Sequence, residues 1–117
     1  MILVDSSVWV DHFRRANPTL RALLEAGEVA THPMILGELA CGGLPDRAQT
    51  LHLLRALPAL PEVPGHSVWQ AIETHRWFSK GIGWIDAHLL AAALVARVPL
   101  WTLDRRLARL ASSTFPN

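Results

Sequence analysis

The feature that most constrains this chain is the alternation of very short apolar runs with segments of helical character. Ile2-Leu3-Val4 is ended at once by Asp5-Ser6-Ser7. Such a run reads as a buried strand, followed by a serine-capped helix over Val8 to Arg14. Asn17-Pro18 restarts helix, with Asn as the cap and Pro at the first helical position, and Gly27 stops it. Glu28 to Thr31 reads as a second strand, and Pro33 opens a helix over Met34 to Ala40 that Gly42-Gly43 close. Leucines at 51, 54 and 57 place a helix over Pro45 to Leu57, ended by Pro58 and Pro61. Leu60 to Val63 is expected as a further short strand, and Gly65-His66-Ser67 lead into a helix expected to reach Ser79. Gly81 and Gly83 then break the chain before Trp84 to Ala96, its most apolar helix. Pro99 to Leu103 is expected as a strand, and Asp104 as the cap of a last helix from Arg105 to Ala111. This order points to a single α/β domain over residues 1–117, with a mostly parallel central sheet and helices on both faces.

At 117 residues and 50% hydrophobic, the chain can build its own core without disulfides or a structural metal. Charged residues at 18% exclude a disordered or supercharged chain. The single cysteine, Cys41, cannot pair internally; it is expected as a small core residue in a reducing, cytoplasmic setting. No signal-peptide pattern is expected at the start, and the longest apolar run, Leu89 to Ala96, is far short of the roughly 20 residues of a membrane span. The six histidines lack a His-Glu-x-x-His spacing, so no zinc site is expected, and His88 is read as structural. The five tryptophans, at 9, 69, 77, 84 and 101, are read as core or interface rather than base-stacking groups. Trp77, Phe78 and Trp84 are expected to contact a second copy or a partner.

Ligands of open parallel sheets bind outside the carboxyl ends of the strands. Asp5 and Asp104 both fall there, from opposite ends of the sequence. Asp86 stands in the first turn of an otherwise apolar helix, and a helix apolar nearly all round is buried. Glu38 is the only charged group of its segment, beside Gly37. Each acid also has a plain explanation: Asp104 as an N-cap, Asp86 as a partner of the helix dipole, Asp5 as turn chemistry, Glu38 as a solvated side chain. Together they would repel one another, and hard cations such as Mg²⁺ or Mn²⁺ resolve that conflict through oxygen ligands alone. Such sites hydrolyse phosphodiesters, one ion activating water and a second able to stabilise the departing oxygen. Ser6 and Thr102, each beside an acid, are placed to hydrogen-bond these carboxylates. Net charge is +1, and with four carboxylates neutralised by cations it becomes +5, so overall charge argues neither for nor against nucleic acid.

Four stretches carry a family resemblance: Ile2 to Asp11, Ile35-Leu-Gly-Glu-Leu39, Ile85-Asp-Ala-His-Leu-Leu-Ala-Ala-Ala93 and Leu100-Trp-Thr-Leu-Asp-Arg-Arg106. In this order they resemble the PIN-domain ribonucleases, in particular the VapC-type toxins of toxin–antitoxin systems. The resemblance implies a PIN-like α/β/α sandwich. It also implies Asp5, Glu38, Asp86 and Asp104 as catalytic ligands of Mg²⁺ or Mn²⁺, with Ser6 and Thr102 assisting. It further implies cleavage of RNA, often tRNA or rRNA, and a VapB-like antitoxin whose C-terminal segment lies across the groove. A homodimer is implied as well, with promoter DNA bound only through the antitoxin. The family often carries one more acid on the helix after the third ligand; Leu89, Leu90 and the alanines stand there here, one acid short for a second ion.

Arg14 and Arg105 read equally as RNA contacts or as solvated helix ends; Arg15, Arg106 and Arg109 are read as solvated. Two other functions compete. A haloacid-dehalogenase-like phosphatase needs an Asp-x-Asp nucleophile that Asp5-Ser6-Ser7 does not provide, and a receiver domain needs a late lysine where the chain has only Lys80. A catalytically silent PIN-like module that binds antitoxin or RNA keeps the fold without turnover, and Mn²⁺ binding separates it from an enzyme.

Overall fold

The computed structural model describes residues 1–115. Three strands form one parallel sheet in the order β2-β1-β3, with β1 at Ile2–Val4, β2 at Val29–Ala30 and β3 at Leu100–Trp101. Seven helices surround it: α1 (Ser6–Arg14), α2 (Pro18–Glu25), α3 (Pro33–Cys41), α4 (Arg47–Arg55), α5 (Gly65–His75), α6 (Trp84–Ala96) and α7 (Arg105–Thr114). β1 is central: the Leu3 N–H donates to Pro99 O at 2.9 Å on one side, and the Ile2 N–H to Glu28 O at 2.8 Å on the other. The α/β class and the parallel sheet are as expected from the sequence.

The core explains why α6 is so apolar. Residues Ala87 to Ala93 are all buried, and they serve two clusters. Leu89 and Ala93 pack with Leu3, Val4, Val8, Trp9 and Ile35, whereas Ala87, Leu90 and Ala91 pack with Val68, Trp77, Leu107 and Leu110. Each fully buried leucine contributes about 1.5–3 kcal/mol through removal from water. Leu89 to Ala93, where the sequence offers no further acid, are all buried in this packing.

Six expectations are corrected. Leu60 to Val63 forms no strand: Pro58, Pro61 and Pro64 remove ladder donors, and only a parallel bridge between Thr31 and Ala59 survives. α5 stops at His75 rather than Ser79, because Arg76 turns left-handed at φ 55° and sends Trp77 inward. Trp77 is therefore core, its Nε1 donating to Thr114 Oγ1 at 3.1 Å, and is not available to a partner; Phe78 and Trp84 are exposed. Cys41, last in α3, is exposed rather than buried. β3 is also shorter than expected, since beyond Trp101 the backbone turns to side-chain partners instead of the ladder. α7, conversely, runs on to Thr114, past the expected end at Ala111.

Candidate active site

Asp5 leaves the carboxyl end of β1 and is only 5% exposed. A buried carboxylate needs donors, and three hydroxyls supply them. Thr102 Oγ1 donates to Asp5 Oδ2 at 2.7 Å, Ser7 Oγ donates to the same oxygen at 2.8 Å, and Ser6 Oγ reaches Oδ1 at 3.5 Å. The protons can be followed further. Ser7 Oγ accepts from the Leu103 N–H at 3.0 Å and Thr102 Oγ1 from the Asp104 N–H at 3.1 Å, so both hydroxyls are left to point their own protons at Asp5. Successive donors polarise one another. The network ties the end of β1 to the end of β3 and fixes the Asp5 side chain.

Ser6 joins the second acid. Its Oγ also lies 3.3 Å from Glu38 Oε1, across the packed pair α1 and α3. Burial raises the Glu38 carboxyl above its ordinary value; Asp5 and Asp86 raise it further, while Ser6 opposes them. Asp86, at the third position of α6, accepts from the Gly83 N–H at 3.3 Å. Burial raises it too, the Gly83 bond opposes, and Asp5 and Asp104 add to the rise. Asp104 caps α7, its Oδ1 accepting from Arg106 N at 2.9 Å and Leu107 N at 3.1 Å.

The plain explanations of Asp86 and Asp104 as helix-terminal residues are thus correct, and they do not exhaust these residues. Asp5 acts electrostatically on both Glu38 and Asp86, and Asp104 on Asp86, so all four belong to one field of like charge. No cation pairs with any of them: among the described residues the only ion pair is Met1 with Glu28.

Among the described residues no three His, Cys, Asp or Glu side chains stand close enough together to grip one ion as they are placed. The donor set nevertheless fits a hard cation. Asp86 Oδ1, Asp104 Oδ2 and Glu38 Oε2 have no donor among the described residues, and Asp5 Oδ1 has only the long Ser6 bond. One oxygen per acid is held and one is available, with no nitrogen or sulfur ligand among them.

Sequence reasoning missed Ser7. It makes a shorter bond to Asp5 than Ser6 does, and the Asp-x-Ser spacing, which lets a hydroxyl reach back two residues, was the available signal. Arg14 and Arg105 are both exposed. Arg14 lines a cavity of about 500 Å³ that begins at Ser6 and Glu38 and is walled by Val10, Phe13, Leu39 and Leu44. A larger cavity, about 770 Å³, runs along the outer edge of β3 and touches the site only at Thr102. His88 is buried and meets Trp84 edge-on at 4.6 Å, the structural role expected of it.

Comparison with known proteins agrees with this architecture. The PIN domain family matches residues 2–112. Ribonuclease VapC32 of Mycobacterium tuberculosis, in two strains, is 42% identical over 108 residues, covering 92% of this chain and 87% of that protein. An acid-rimmed parallel sheet, a match over almost the whole sequence and a relative at this identity lead to one conclusion: the chain belongs to the PIN domain family.

Proposed function

We propose that the chain is a VapC-type toxin, a metal-dependent endoribonuclease that cuts RNA, in the tRNA or rRNA class, and is neutralised by a VapB-like antitoxin. The observation that carries this reading is the buried Asp5, fixed by Ser7 and Thr102 in the field of Glu38, Asp86 and Asp104. A fold gains nothing in stability from gathering four uncompensated acids, so their collection on one sheet edge supports a functional cause. The 42% identity to Ribonuclease VapC32 supports RNA as the substrate class.

On this reading Asp5, Glu38, Asp86 and Asp104 hold Mg²⁺ or Mn²⁺, which when bound supplies Lewis acidity to a phosphoryl oxygen and lowers the pKa of an attacking water. The protein's own groups do the positioning. Ser7 and Thr102 hold Asp5 Oδ2 so that Oδ1 faces its neighbours in one orientation. Ser6 spans Asp5 and Glu38 and keeps α1 and α3 in register at the site. Thr102 takes the Asp104 N–H and so couples the cap of α7 to the same network. Arg14 and Arg105 take RNA phosphates at the rim, where charge matters more than sequence. The groove between α1 and α3, continuous with Glu38, receives the antitoxin segment, and the toxin works as a homodimer.

The spacing of the acids favours a second reading, the silent binding module. Titration calorimetry of Mn²⁺ into wild type and Asp5→Asn separates the two. Binding by wild type that the variant weakens at least tenfold supports the enzyme; heat-silent titrations at millimolar Mn²⁺ for a folded wild type support the module.

A further inference from the structure

Arg106 was expected as one more solvated arginine on the face of α7, and its surroundings are otherwise. Its side chain crosses the backbone of Gly81 so closely that a Cβ there would lie 2.9 Å from Nη1 and 3.0 Å from Nε, and closer still to Cδ. Gly81 has φ +83°, a conformation that admits glycine and strains other residues. The positive φ keeps position 81 bare, and the side chain that uses the space is Arg106.

The place is informative. The Arg106 N–H donates to Asp104 Oδ1, and two residues after Gly81 the Gly83 N–H donates to Asp86 Oδ2. The Arg106 side chain thus lies over Gly81, in the turn that leads to Asp86, while its own backbone N–H caps on Asp104. It is exposed and forms no ion pair among the described residues. An arginine loses side-chain freedom when it is fixed on a ligand. One already laid in a glycine saddle has lost part of that freedom before the ligand arrives.

We infer that Arg106, seated on Gly81, is a phosphate-binding residue that holds the RNA backbone at the Asp86–Asp104 side of the acidic rim. The inference rests on the nuclease reading and deepens it. A planar guanidinium matches two oxygens of a phosphate, and an anionic strand approaching four acids needs a fixed cation beside them. Gly81 is then a positioning residue, acting only through Arg106.

The test uses RNA binding by the full chain carrying Asp5→Asn, so that cleavage does not interfere, over a series of salt concentrations, together with cleavage kinetics in the wild-type background. Arg106→Ala is expected to weaken binding about ten- to a hundredfold, as loss of a charge-assisted contact does. It is also expected to reduce the slope of log K against log salt by about 0.7, the value of one phosphate on a single strand, with the cleavage loss falling on KM more than on kcat. Arg106→Lys recovers the slope but only part of the affinity. Gly81→Ala keeps the charge, displaces the guanidinium and gives the Arg106→Ala loss; adding it to Arg106→Ala costs nothing further. If Gly81→Ala does not fold, the two Arg106 variants decide alone. Unchanged KM and salt slope in Arg106→Ala, with an active wild type, overturn this inference and leave the nuclease reading standing. Losses that add in the double variant overturn the coupling. A folded wild type that neither binds nor cuts RNA overturns both readings.

Discussion

Thr102 Oγ1 donates to Asp5 Oδ2 at 2.7 Å across 97 residues of sequence, and the same hydroxyl accepts the Asp104 N–H. One side chain thereby fixes two acids that come from opposite ends of the chain. Thr102→Val keeps the shape and removes both bonds. Hydrogen bonds to charged groups are worth about 1.5–3 kcal/mol, so a loss of that size is expected in urea unfolding. Thr102→Ser, which keeps the hydroxyl, is expected to recover most of it. Cleavage falls with the same order, since the Asp5 carboxylate loses its anchor.

Asp104 separates its two roles by substitution. Asn retains a side-chain oxygen for the Arg106 and Leu107 N–H groups, so Asp104→Asn is expected to stay within about 0.5 kcal/mol of wild type while losing activity. Asp104→Ala loses the cap as well, at a cost of about 1 kcal/mol. Equal stability of the two variants would show that the cap contributes nothing.

Glu38 and Asp86 give the metal-free protein a pH dependence of defined sign. Both carboxyls are raised by burial and by neighbouring acids. The stability they contribute is complete below the unfolded carboxylate pKa and is lost as pH rises through the folded values. Asp86→Asn is therefore expected to melt higher than wild type in chelator at neutral pH, with the gap closing in acid. Adding Mg²⁺ is expected to raise the melting temperature of wild type and to do so less for the variant. A variant that melts lower than wild type at neutral pH contradicts the repulsion.

His32 works in the opposite direction. It is fully buried, its Nδ1 accepts from the Met34 N–H at 3.0 Å at the start of α3, and this cap needs a neutral ring. Burial lowers its pKa, His88 lowers it further and Glu62 opposes. Its contribution is complete above the unfolded histidine pKa and is lost as pH falls through the lowered folded value. Unfolding free energies between pH 7 and 4 are expected to show an acid-side loss in wild type that His32→Asn, which can still cap, removes.

The parallel α/β plan was legible because Ile2-Leu3-Val4 and Leu100-Trp101 are short, apolar and each followed by a helix-starting acid. Asp5 and Asp104 could be placed on one edge from topology alone. What local pattern could not show was the competition for backbone groups. Thr102 and Leu103 look like strand, yet their neighbours' hydroxyls and the Asp5 carboxylate take their bonds. Trp77 reads as the end of an amphipathic helix until the left-handed turn at Arg76 buries it. Arg106 looks like any exposed arginine because its partner is a glycine 25 positions away, and a missing side chain leaves no pattern to read.

The central claim is that the acidic rim cuts RNA. Purified protein and its Asp5→Asn variant, each free of antitoxin, are incubated with total RNA with and without Mg²⁺ or Mn²⁺, and new 5′ ends are sequenced. The account predicts discrete cuts by wild type that need the metal and vanish with chelator or with Asp5→Asn. A folded wild type that leaves RNA intact under every metal condition, or cuts equally well without Asp5, would contradict it.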